Sequence, residues 1–267
     1  MQALSIHKVR KLTFIEVTFT AAILCIVTII IIPFLNRTEQ KGMMAAWKST
    51  RSEVLLDRSL VTYYDFSAGR DIILKNSVFS SEDIDYDAMD YDARIVAGAD
   101  WVKGRWKTKP ALSFNGETSH VVANITLPAP ANTIIIWFKT VELNSGLFSA
   151  KKTRHFASAS FRAISLNKGC LLSSIQHGSL NSTIFCADDK WHMVAVTLDG
   201  KKHTLSVDGQ KVAEVSGQFD KLEEQKKVLL GYTNNAPFFK GMMDEFFLYD
   251  RVLSEEEITK LYKSVTR

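Results

Sequence analysis

A run of twenty residues without a charge near the N-terminus constrains this chain more than any other feature. It extends from Val17 to Asn36 and reads VTFTAAILCIVTIIIIPFLN. About twenty apolar residues in a helix cross the hydrocarbon core of a bilayer, whereas a buried soluble helix this long and this aliphatic would be rare. The run therefore predicts a transmembrane helix, which we assign to residues 12–35.

The charges before the run predict its orientation. Residues 1–11 contain Lys8, Arg10 and Lys11 and no acid. Because basic flanks stay in the cytoplasm, we expect a basic leader at residues 1–11 on the cytoplasmic side, a single-pass membrane helix, and a C-terminal body on the outer side of that membrane. A secretory signal peptide is disfavoured, since its apolar stretch would be about 7–15 residues long and end at a small-residue cleavage site.

The net charge of +4 comes entirely from the N-terminal quarter of the chain. Residues 1–60 hold eight basic and four acidic side chains, and residues 61–267 hold 25 of each. A neutral body argues against a basic nucleic-acid-binding face. We therefore expect no nucleic acid among the partners.

Glu16 does not fit a plain membrane anchor, because an ionised carboxylate at the entrance of an apolar run is costly and usually functional. Residues 12–17, LTFIEV, resemble the N-terminus of type IV prepilins, which a peptidase cleaves before an apolar residue. With Leu12 as the first mature residue, Glu16 falls on the family pattern and Pro33 falls where pilin helices kink. The resemblance implies that Glu16 pairs with the N-terminal amine of a neighbouring subunit, since a carboxylate in lipid needs a cationic partner.

Lys11 departs from this pattern, because pilins usually place Gly before the scissile bond. Two alternatives therefore stay open. The chain is cleaved before Leu12, or it remains an uncut single-pass anchor with Glu16 in the headgroup zone.

Residues 36–59 are polar but carry apolar side chains at a spacing that suits one face of a helix. A flexible linker would be richer in Gly, Ser and Pro, and a coiled coil would need a sustained heptad. We predict a semi-rigid amphipathic stalk that docks on the body. Its apolar positions are Met43, Met44, Trp47, Val54 and Leu55.

From residue 60 onward the sequence consists of about a dozen short alternating runs separated by turn pairs. Asp-Gly pairs at residues 199–200 and 208–209 are the strongest short-range signal for β-hairpins. The pattern predicts a mainly β body at residues 60–267, an antiparallel two-sheet jelly-roll sandwich. Ser254 and Glu257 form a capping box that begins a short C-terminal helix.

Four strings along this body carry a family resemblance: ALSFNG at residues 111–116, WHMVAVTLDG at 191–200, LSVDGQ at 205–210 and GMMDEFFLYDRVLS at 241–254. They resemble laminin G-like domains of the concanavalin A-like lectin/glucanase superfamily. The resemblance implies glycan or protein binding at one edge or on the concave face. A fold alone does not fix the ligand.

Glycosidases of this superfamily usually carry a Glu-x-Asp-x-x-Glu set, because cleavage needs an acid and a nucleophile a few ångströms apart. No such set occurs here. Asp244 and Glu245 are adjacent, so we expect them on opposite faces of a strand, one capping a turn and the other exposed. We therefore predict that the protein is not an enzyme.

Exposed aromatic rings beside amide groups are the side chains expected at a sugar-binding site. A turn-rich stretch supplies four candidate ligand-binding residues: Tyr232, Asn234, Asn235 and Phe238. Rings in such stretches also fill cores, and that alternative applies most strongly to Trp101, Trp106 and Phe239.

The acidic stretch at residues 82–92 is the feature most suggestive of a metal, because closely spaced carboxylates in a loop suit a hard cation such as Ca²⁺. The candidate ligands are Asp83, Asp85 and Asp87. A solvated acidic loop is the alternative, since no Gly supplies a sharp turn. Calcium is the one cofactor that the sequence leaves open.

Cys170 and Cys186 flank a predicted hairpin whose turn, at residues 177–179, lies midway between them. We expect the two cysteines directly opposite each other on antiparallel strands. In an oxidising compartment this arrangement favours a disulfide bond, and two buried free thiols are the alternative.

The first functional hypothesis is a membrane-anchored, prepilin-like envelope protein that presents a non-enzymatic recognition domain for a glycan or a protein. The alternative is a minor pseudopilin of a type II secretion or type IV pilus-like machine, whose sandwich contacts partner subunits. A degenerate glycosidase is a remote third. The expected partners are the membrane, a glycan, and other pilin-like subunits through Glu16.

Overall fold

The computed structural model describes residues 13–78, 91–106, 108–151, 162–175, 178–219 and 226–264. The chain divides into two compact units, Met1–Gly42 and Met43–Arg267. Each unit is described by itself below.

The first unit is helical. It contains α1 (Phe14–Ile26), a π-helical turn (Val27–Ile31) and the beginning of α2 (Ile32–Val54). The π turn directly precedes Pro33, which has no backbone N–H and therefore disrupts the regular hydrogen-bond ladder of the turn before it.

Within the described residues, one helical stretch, Phe14–Val54, is long and apolar enough to cross a bilayer by length and composition. The mean hydropathy of its most apolar 18-residue window is 2.6, and none of that window is buried. A signal sequence near an N-terminus has the same properties. The twenty-residue run thus forms the expected helix.

The second unit is built from the end of α2, sixteen strands and one C-terminal helix. The strands are β1 (Leu60–Tyr64), β2 (Ile73–Leu74), β3 (Ala93–Val96), β4 (Asp100–Lys103), β5 (Pro110–Asn115), β6 (His120–Ala123), β7 (Ala131–Lys139), β8 (Ser145–Lys151), β9 (Arg162–Asn167), β10 (Cys170–Ile175), β11 (Gly178–Phe185), β12 (Trp191–Asp199), β13 (Lys202–Val207), β14 (Gln210–Ser216), β15 (Lys227–Leu230) and β16 (Lys240–Tyr249); the helix is α3 (Glu255–Ser264).

The strands form two antiparallel eight-stranded sheets. Sheet A has the order β14-β13-β12-β7-β16-β5-β4, with β1 also paired to β16, and sheet B has the order β11-β10-β9-β8-β15-β6-β3-β2. This arrangement confirms the predicted mainly β, jelly-roll-like sandwich with a short C-terminal helix. The predicted capping box is present, because Ser254 N donates to Glu257 at 2.7 Å and Glu257 N donates to the Ser254 hydroxyl at 3.2 Å.

The main core lies between the two sheets. Along β7 and β16, alternate residues such as Ile136 and Phe246 point into it. The intervening residues of sheet A, such as Trp137 and Phe247, point to the other face and pack with the end of α2 and with α3. Burial of apolar area on both faces explains why these strands contain few polar residues.

Candidate functional site

Asp244 and Glu245 lie in the middle of β16, and both are buried: Asp244 is 0% exposed and Glu245 3%. The expectation that they occupy opposite faces, with one of them exposed, is wrong. A β-bulge shifts the register between Asp244 and Phe246, and Glu245 adopts a left-handed φ of 49°. The extra residue lets two consecutive side chains turn toward the same cation, Arg105.

Two cations from the loop between β4 and β5 neutralise this carboxylate pair. Arg105 binds Asp244 at 2.8 Å and also binds Glu245, while Lys109 binds Asp244 and donates to the Asp65 carbonyl at 2.8 Å. Gly104 N donates to Lys109 O at 2.6 Å, which closes the loop that carries both cations. All four charged groups are therefore paired inside the protein.

Aromatic side chains complete this cluster. Trp47, from α2, donates its indole N–H to Glu245 at 2.6 Å, and the Tyr63 hydroxyl donates to the same oxygen. Arg105 stacks on Trp106 at 4.8 Å and on Trp137 at 4.2 Å. Cation–π contacts of this kind stabilise a desolvated guanidinium.

Burial by itself would raise the pKa of Glu245, but Arg105 and Lys109 outweigh it and hold the pKa below the usual value for glutamate. Burial and the neighbouring Glu245 raise the pKa of Tyr63 well above its usual value. A glycosidase would need a carboxylic acid with a raised pKa and access to substrate. Glu245 has neither, and Asp244 is fully buried, so the pair fits a structural ion cluster beneath α2.

The predicted ligand-binding stretch lies elsewhere, on the outer side of sheet B. Tyr232 and Phe238 are half-buried and pack together, with ring centroids 4.7 Å apart. Asn235 is exposed and Asn234 is half-buried. The structure thus brings two of the predicted rings into contact and places both amides in the turn between them.

His120, at the start of β6, joins this ring pair. Its ring centroid lies 6.4 Å from Tyr232 and 6.0 Å from Phe238. Burial, together with the nearby cations Lys227 and Lys151, lowers its pKa. In the neutral imidazole Nδ1–H donates to Thr118 O at 2.7 Å, which makes Nε2 the acceptor nitrogen of the ring.

The backbone around the rings is fixed by hydrogen bonds to β8. The Ser149 hydroxyl donates to Tyr232 O at 2.8 Å, and Gly146 N donates to Pro237 O at 2.8 Å. A Cβ on Gly146 would lie 2.6 Å from Thr233 N, so only glycine permits this close approach. The backbone that carries Tyr232 and Phe238 is therefore held in place against β8.

Lys151, at the end of β8, lies with its Nζ 4.9 Å from the centre of the Tyr232 ring. Burial and the adjacent Lys227 lower its pKa to about 8. Sequence reasoning missed both Lys151 and His120. Neither is near Tyr232 in the chain, and only the strand register brings them there.

The remaining aromatic candidates are used in packing. Trp106 and Phe239 are buried, at 2% and 0% exposed, which confirms the core alternative for them. Trp101 is half-buried, packs at an edge on Phe66, and donates to Asp71 O at 3.0 Å.

The expectation that Cys170 and Cys186 lie directly opposite each other is wrong, and the structure contains no disulfide bond. Cys170 is paired with Phe185, because the register shifts between Cys170 and Leu172 and displaces Cys186 from the position opposite. All three cysteines are free thiols. Burial raises the pKa of Cys186 to about 12, so its thiol is an inert packing group.

The proposed calcium ligands, Asp83, Asp85 and Asp87, lie outside the described residues. At the end of that acidic stretch, Asp92 accepts hydrogen bonds from Lys75 Nζ at 2.6 Å and Asn76 N at 2.9 Å. In the part of the chain that is described, no group of three or more His, Cys, Asp or Glu side chains is arranged to hold a metal ion.

Of the proposed processing residues, Lys11 and Leu12 also lie outside the described residues. Glu16 lies in the first turn of α1 and forms a capping box with Thr13. Thr13 N donates to the Glu16 carboxylate at 2.8 Å, and Glu16 N donates to the Thr13 hydroxyl at 3.3 Å. Local capping is thus one role of this carboxylate.

Comparison with known proteins agrees with this geometry. The profile described as "Concanavalin A-like lectin/glucanases superfamily" matches residues 114–259, just over half of the chain. The chain belongs to this superfamily. The comparison with curated proteins gives no match.

Solved structures with the same fold are similar to the chain at low identity. The binding domain of Paraclostridial Mosquitocidal Protein 1 is 18% identical, with a TM-score of 0.57, over 77% of this chain and 52% of the toxin domain. The Trypanosoma rangeli sialidase is 17% identical, with a TM-score of 0.59, over 84% of this chain and 38% of the enzyme. The chain spans about half of the toxin domain's length.

A third structure matches over almost its whole length. Domain 4 of AbnA, a GH43 extracellular arabinanase from Geobacillus stearothermophilus, in complex with arabinotriose, is 18% identical, with a TM-score of 0.55, over 76% of this chain and 98% of that domain. At such identities these likenesses establish the fold alone.

Proposed function

We propose that the protein is a membrane-anchored, non-enzymatic glycan-binding protein of the bacterial envelope, whose ligand contacts the surface formed by Tyr232, Asn234, Asn235 and Phe238. The observation that carries this proposal is the pair of half-exposed rings next to two amides and His120. Rings supply a stacking face for a sugar, and amides and imidazole supply directional hydrogen bonds.

The location of this surface supports the proposal. The outer face of sheet A is filled by the end of α2 and by α3, whereas Tyr232, Phe238 and Asn235 are accessible on the other side of the sandwich. A structural relative, AbnA domain 4, forms a complex with arabinotriose. A sugar ligand is therefore consistent with the fold.

A non-enzymatic role is supported by the state of the carboxylates. Asp244 and Glu245 are paired with Arg105 and Lys109 and buried. Neither is positioned to donate a proton to a leaving group on a bound sugar.

The test is a glycan array probed with the full-length chain in detergent, followed by calorimetric titration of the best ligand and of arabinotriose. Tyr232→Ala should weaken binding about fivefold to tenfold, because it removes a stacking face worth roughly 1 kcal/mol. Tyr232→Phe should retain most of the affinity.

Phe185→Ala is the matched control, since Phe185 is a 50% exposed ring elsewhere on sheet B. Equal losses in Phe185→Ala and Tyr232→Ala, or an array without any bound glycan, would refute the proposed site.

We propose single-pass anchoring through residues 12–35, with the N-terminus in the cytoplasm. The charge-free run from Val17 to Asn36, with the basic residues before it, supports this orientation. Protease digestion of right-side-out membrane vesicles should leave residues 1–11 protected and should degrade the body.

A second candidate function, a minor pseudopilin, is favoured by Glu16, the one acid within the first turns of an otherwise uncharged helix. Under this proposal the chain is cleaved before Leu12, and Glu16 binds the amine of a neighbouring subunit. Mass spectrometry of the membrane-extracted protein should then give Leu12 as the N-terminus, and pilin-like subunits should co-purify. An intact Met1 would exclude processing.

A further inference from the structure

An open groove of about 740 Å³ runs along the outer face of sheet B. Its lining comes from β2, β3, β6 and the start of β15. Val122 and Asn124 line it, as does Ile72, which is 62% exposed. It is therefore an accessible cleft within the sandwich unit.

Among the described residues that line this groove, the charges are predominantly positive. Lys75 is paired with Asp92, at 2.6 Å. Arg94 and Lys227 also line the groove, and neither forms an ion pair with any described residue. Because residues 61–267 sum to zero charge, these two cations are a local concentration rather than part of a generally basic surface.

The strand register fixes the positions of both cations. Arg94 on β3 is opposite Val122 on β6, and Val122 is in turn opposite Leu229 on β15. Lys227 lies two residues before Leu229 and on the same face of the sheet. Two strand spacings and two residues of rise place their Cα atoms about 12 Å apart. This separation allows both cations to reach one extended chain molecule in the groove.

Lys227 is the cation of this strand row that an anion in the groove can contact. It lies directly opposite Lys151 on β8, but Lys151 is buried, whereas Lys227 lines the groove.

The strand register relates the groove to the ring surface. The lining of the groove includes Val96, which is opposite His120 on β6, and His120 packs on Tyr232 and Phe238. A ligand that stacks on the two rings would therefore extend along β6 toward Arg94 and Lys227.

We propose that this groove binds the carboxylate or sulfate groups of an acidic glycan, with Arg94 and Lys227 as the anion-binding residues. The proposal rests on the proposed glycan-binding function and specifies its ligand class. The guanidinium of Arg94 pairs with a carboxylate or sulfate through two parallel hydrogen bonds, and the ammonium of Lys227 acts as a point charge.

The experiment measures binding of the full-length chain, in uncharged detergent, to two pairs of oligosaccharides. Each pair has the same backbone with and without charge: polygalacturonate oligomers against their methyl esters, and sulfated dextran against dextran. At least one charged member should bind about tenfold more tightly than its neutral counterpart. Its affinity should fall as salt is raised, because exposed charges are screened.

Variants of Arg94 and Lys227 test whether the preference for charged over neutral oligosaccharides depends on the groove. Arg94→Gln and Lys227→Gln should each weaken binding of the charged oligosaccharide about fivefold, and the double variant about twentyfold, with neutral binding unchanged. Lys201→Gln is the matched control, because Lys201 is exposed and lies away from the groove, in the turn between β12 and β13. It should bind like the unaltered chain.

The outcomes separate this inference from the proposed function. Equal binding of charged and neutral oligosaccharides, lost in Tyr232→Ala, would overturn the acidic ligand and retain the glycan site. No binding to any of the four would overturn the acidic-glycan assignment. If glycerol phosphate competed as strongly as the charged oligosaccharide, the groove would bind a phosphate-bearing surface and not a glycan. This outcome would also overturn the acidic-glycan assignment.

Discussion

Trp47 donates its indole N–H to the buried Glu245 carboxylate across 2.6 Å, and this bond joins the C-terminal half of α2 to the centre of sheet A. Trp47 is 4% exposed and packs at an edge on Trp106, with ring centroids 6.4 Å apart. The residues of α2 that belong to the sandwich unit are thus fixed by a charge-assisted bond and by apolar burial. The segment from Met43 to Val54 is an integral layer of the domain.

Trp47→Phe should therefore destabilise the sandwich by about 2 kcal/mol, because it removes one hydrogen bond to a charged group and retains most of the ring. Trp47→Ala should cost about 4 kcal/mol, since it also leaves a cavity. Denaturant unfolding followed by near-ultraviolet circular dichroism measures both. Lys48→Ala, at an exposed position of the same helix, is the control, and equal midpoints for Trp47→Ala and Lys48→Ala would refute the role of Trp47.

Glu245→Gln should cost about 3 kcal/mol, because it leaves the buried Arg105 with one fewer compensating charge. The pKa of Glu245 is held below its usual value, so the charged form contributes stability above about pH 4.3, and that contribution is lost as the pH falls through the lower folded-state pKa. Unfolding free energies measured from pH 7 to pH 3 should fall less steeply in Glu245→Gln than in the unaltered chain. Parallel curves would contradict the prediction.

The second titrating feature is His192, whose two ring nitrogens contact Asp208 at 2.7 Å and Asp188 at 2.9 Å. Burial would lower the pKa of His192, but the two carboxylates outweigh it and raise the pKa above its usual value. Lys190 also faces this group through Asp188, at 3.0 Å. The imidazolium therefore stabilises the fold fully below about pH 6.5, and this contribution is lost as the pH rises through the raised folded-state pKa.

We expect the change in melting temperature from pH 6.5 to pH 8.5 to be more negative in the unaltered chain than in His192→Gln. The comparison with the variant is needed because the lowered pKa of Lys151, about 8, contributes with the opposite sign in the same interval. Differential scanning fluorimetry in buffers of equal ionic strength measures this difference, and identical pH dependence in the two chains would refute the assignment.

The sandwich was predictable from the sequence because its signals are local. Asp-Gly turns such as Asp208-Gly209, and the short apolar run at residues 133–138, each depend on neighbours in the chain. The same local reasoning selected Tyr232 and Phe238 as candidates, because a turn-rich stretch with rings is visible without a structure.

The bulge at Glu245 was not predictable, because the sequence pattern of a strand does not reveal a single inserted residue. Such an insertion nevertheless moves a side chain to the other face of the sheet. The displacement of Cys186 from Cys170 has the same origin. Contacts between residues far apart in the chain, such as Lys151 with Tyr232 or Arg105 with Glu245, follow from the order of the strands in the sheets. The alternation of polar and apolar residues does not specify that order.

The last prediction concerns the thiols of Cys170 and Cys186. Because burial raises the pKa of Cys186 to about 12, its thiolate fraction at pH 8 is about 10⁻⁴, and alkylation requires that thiolate. Iodoacetamide should therefore modify Cys186 only after denaturation, whereas the half-buried Cys170 should react in the native protein. Peptide mass spectrometry with light reagent before unfolding and heavy reagent afterwards measures both sites. If neither cysteine takes up reagent after unfolding without reductant, and both do after reduction, the two are joined by a disulfide in the mature protein and the free-thiol assignment fails.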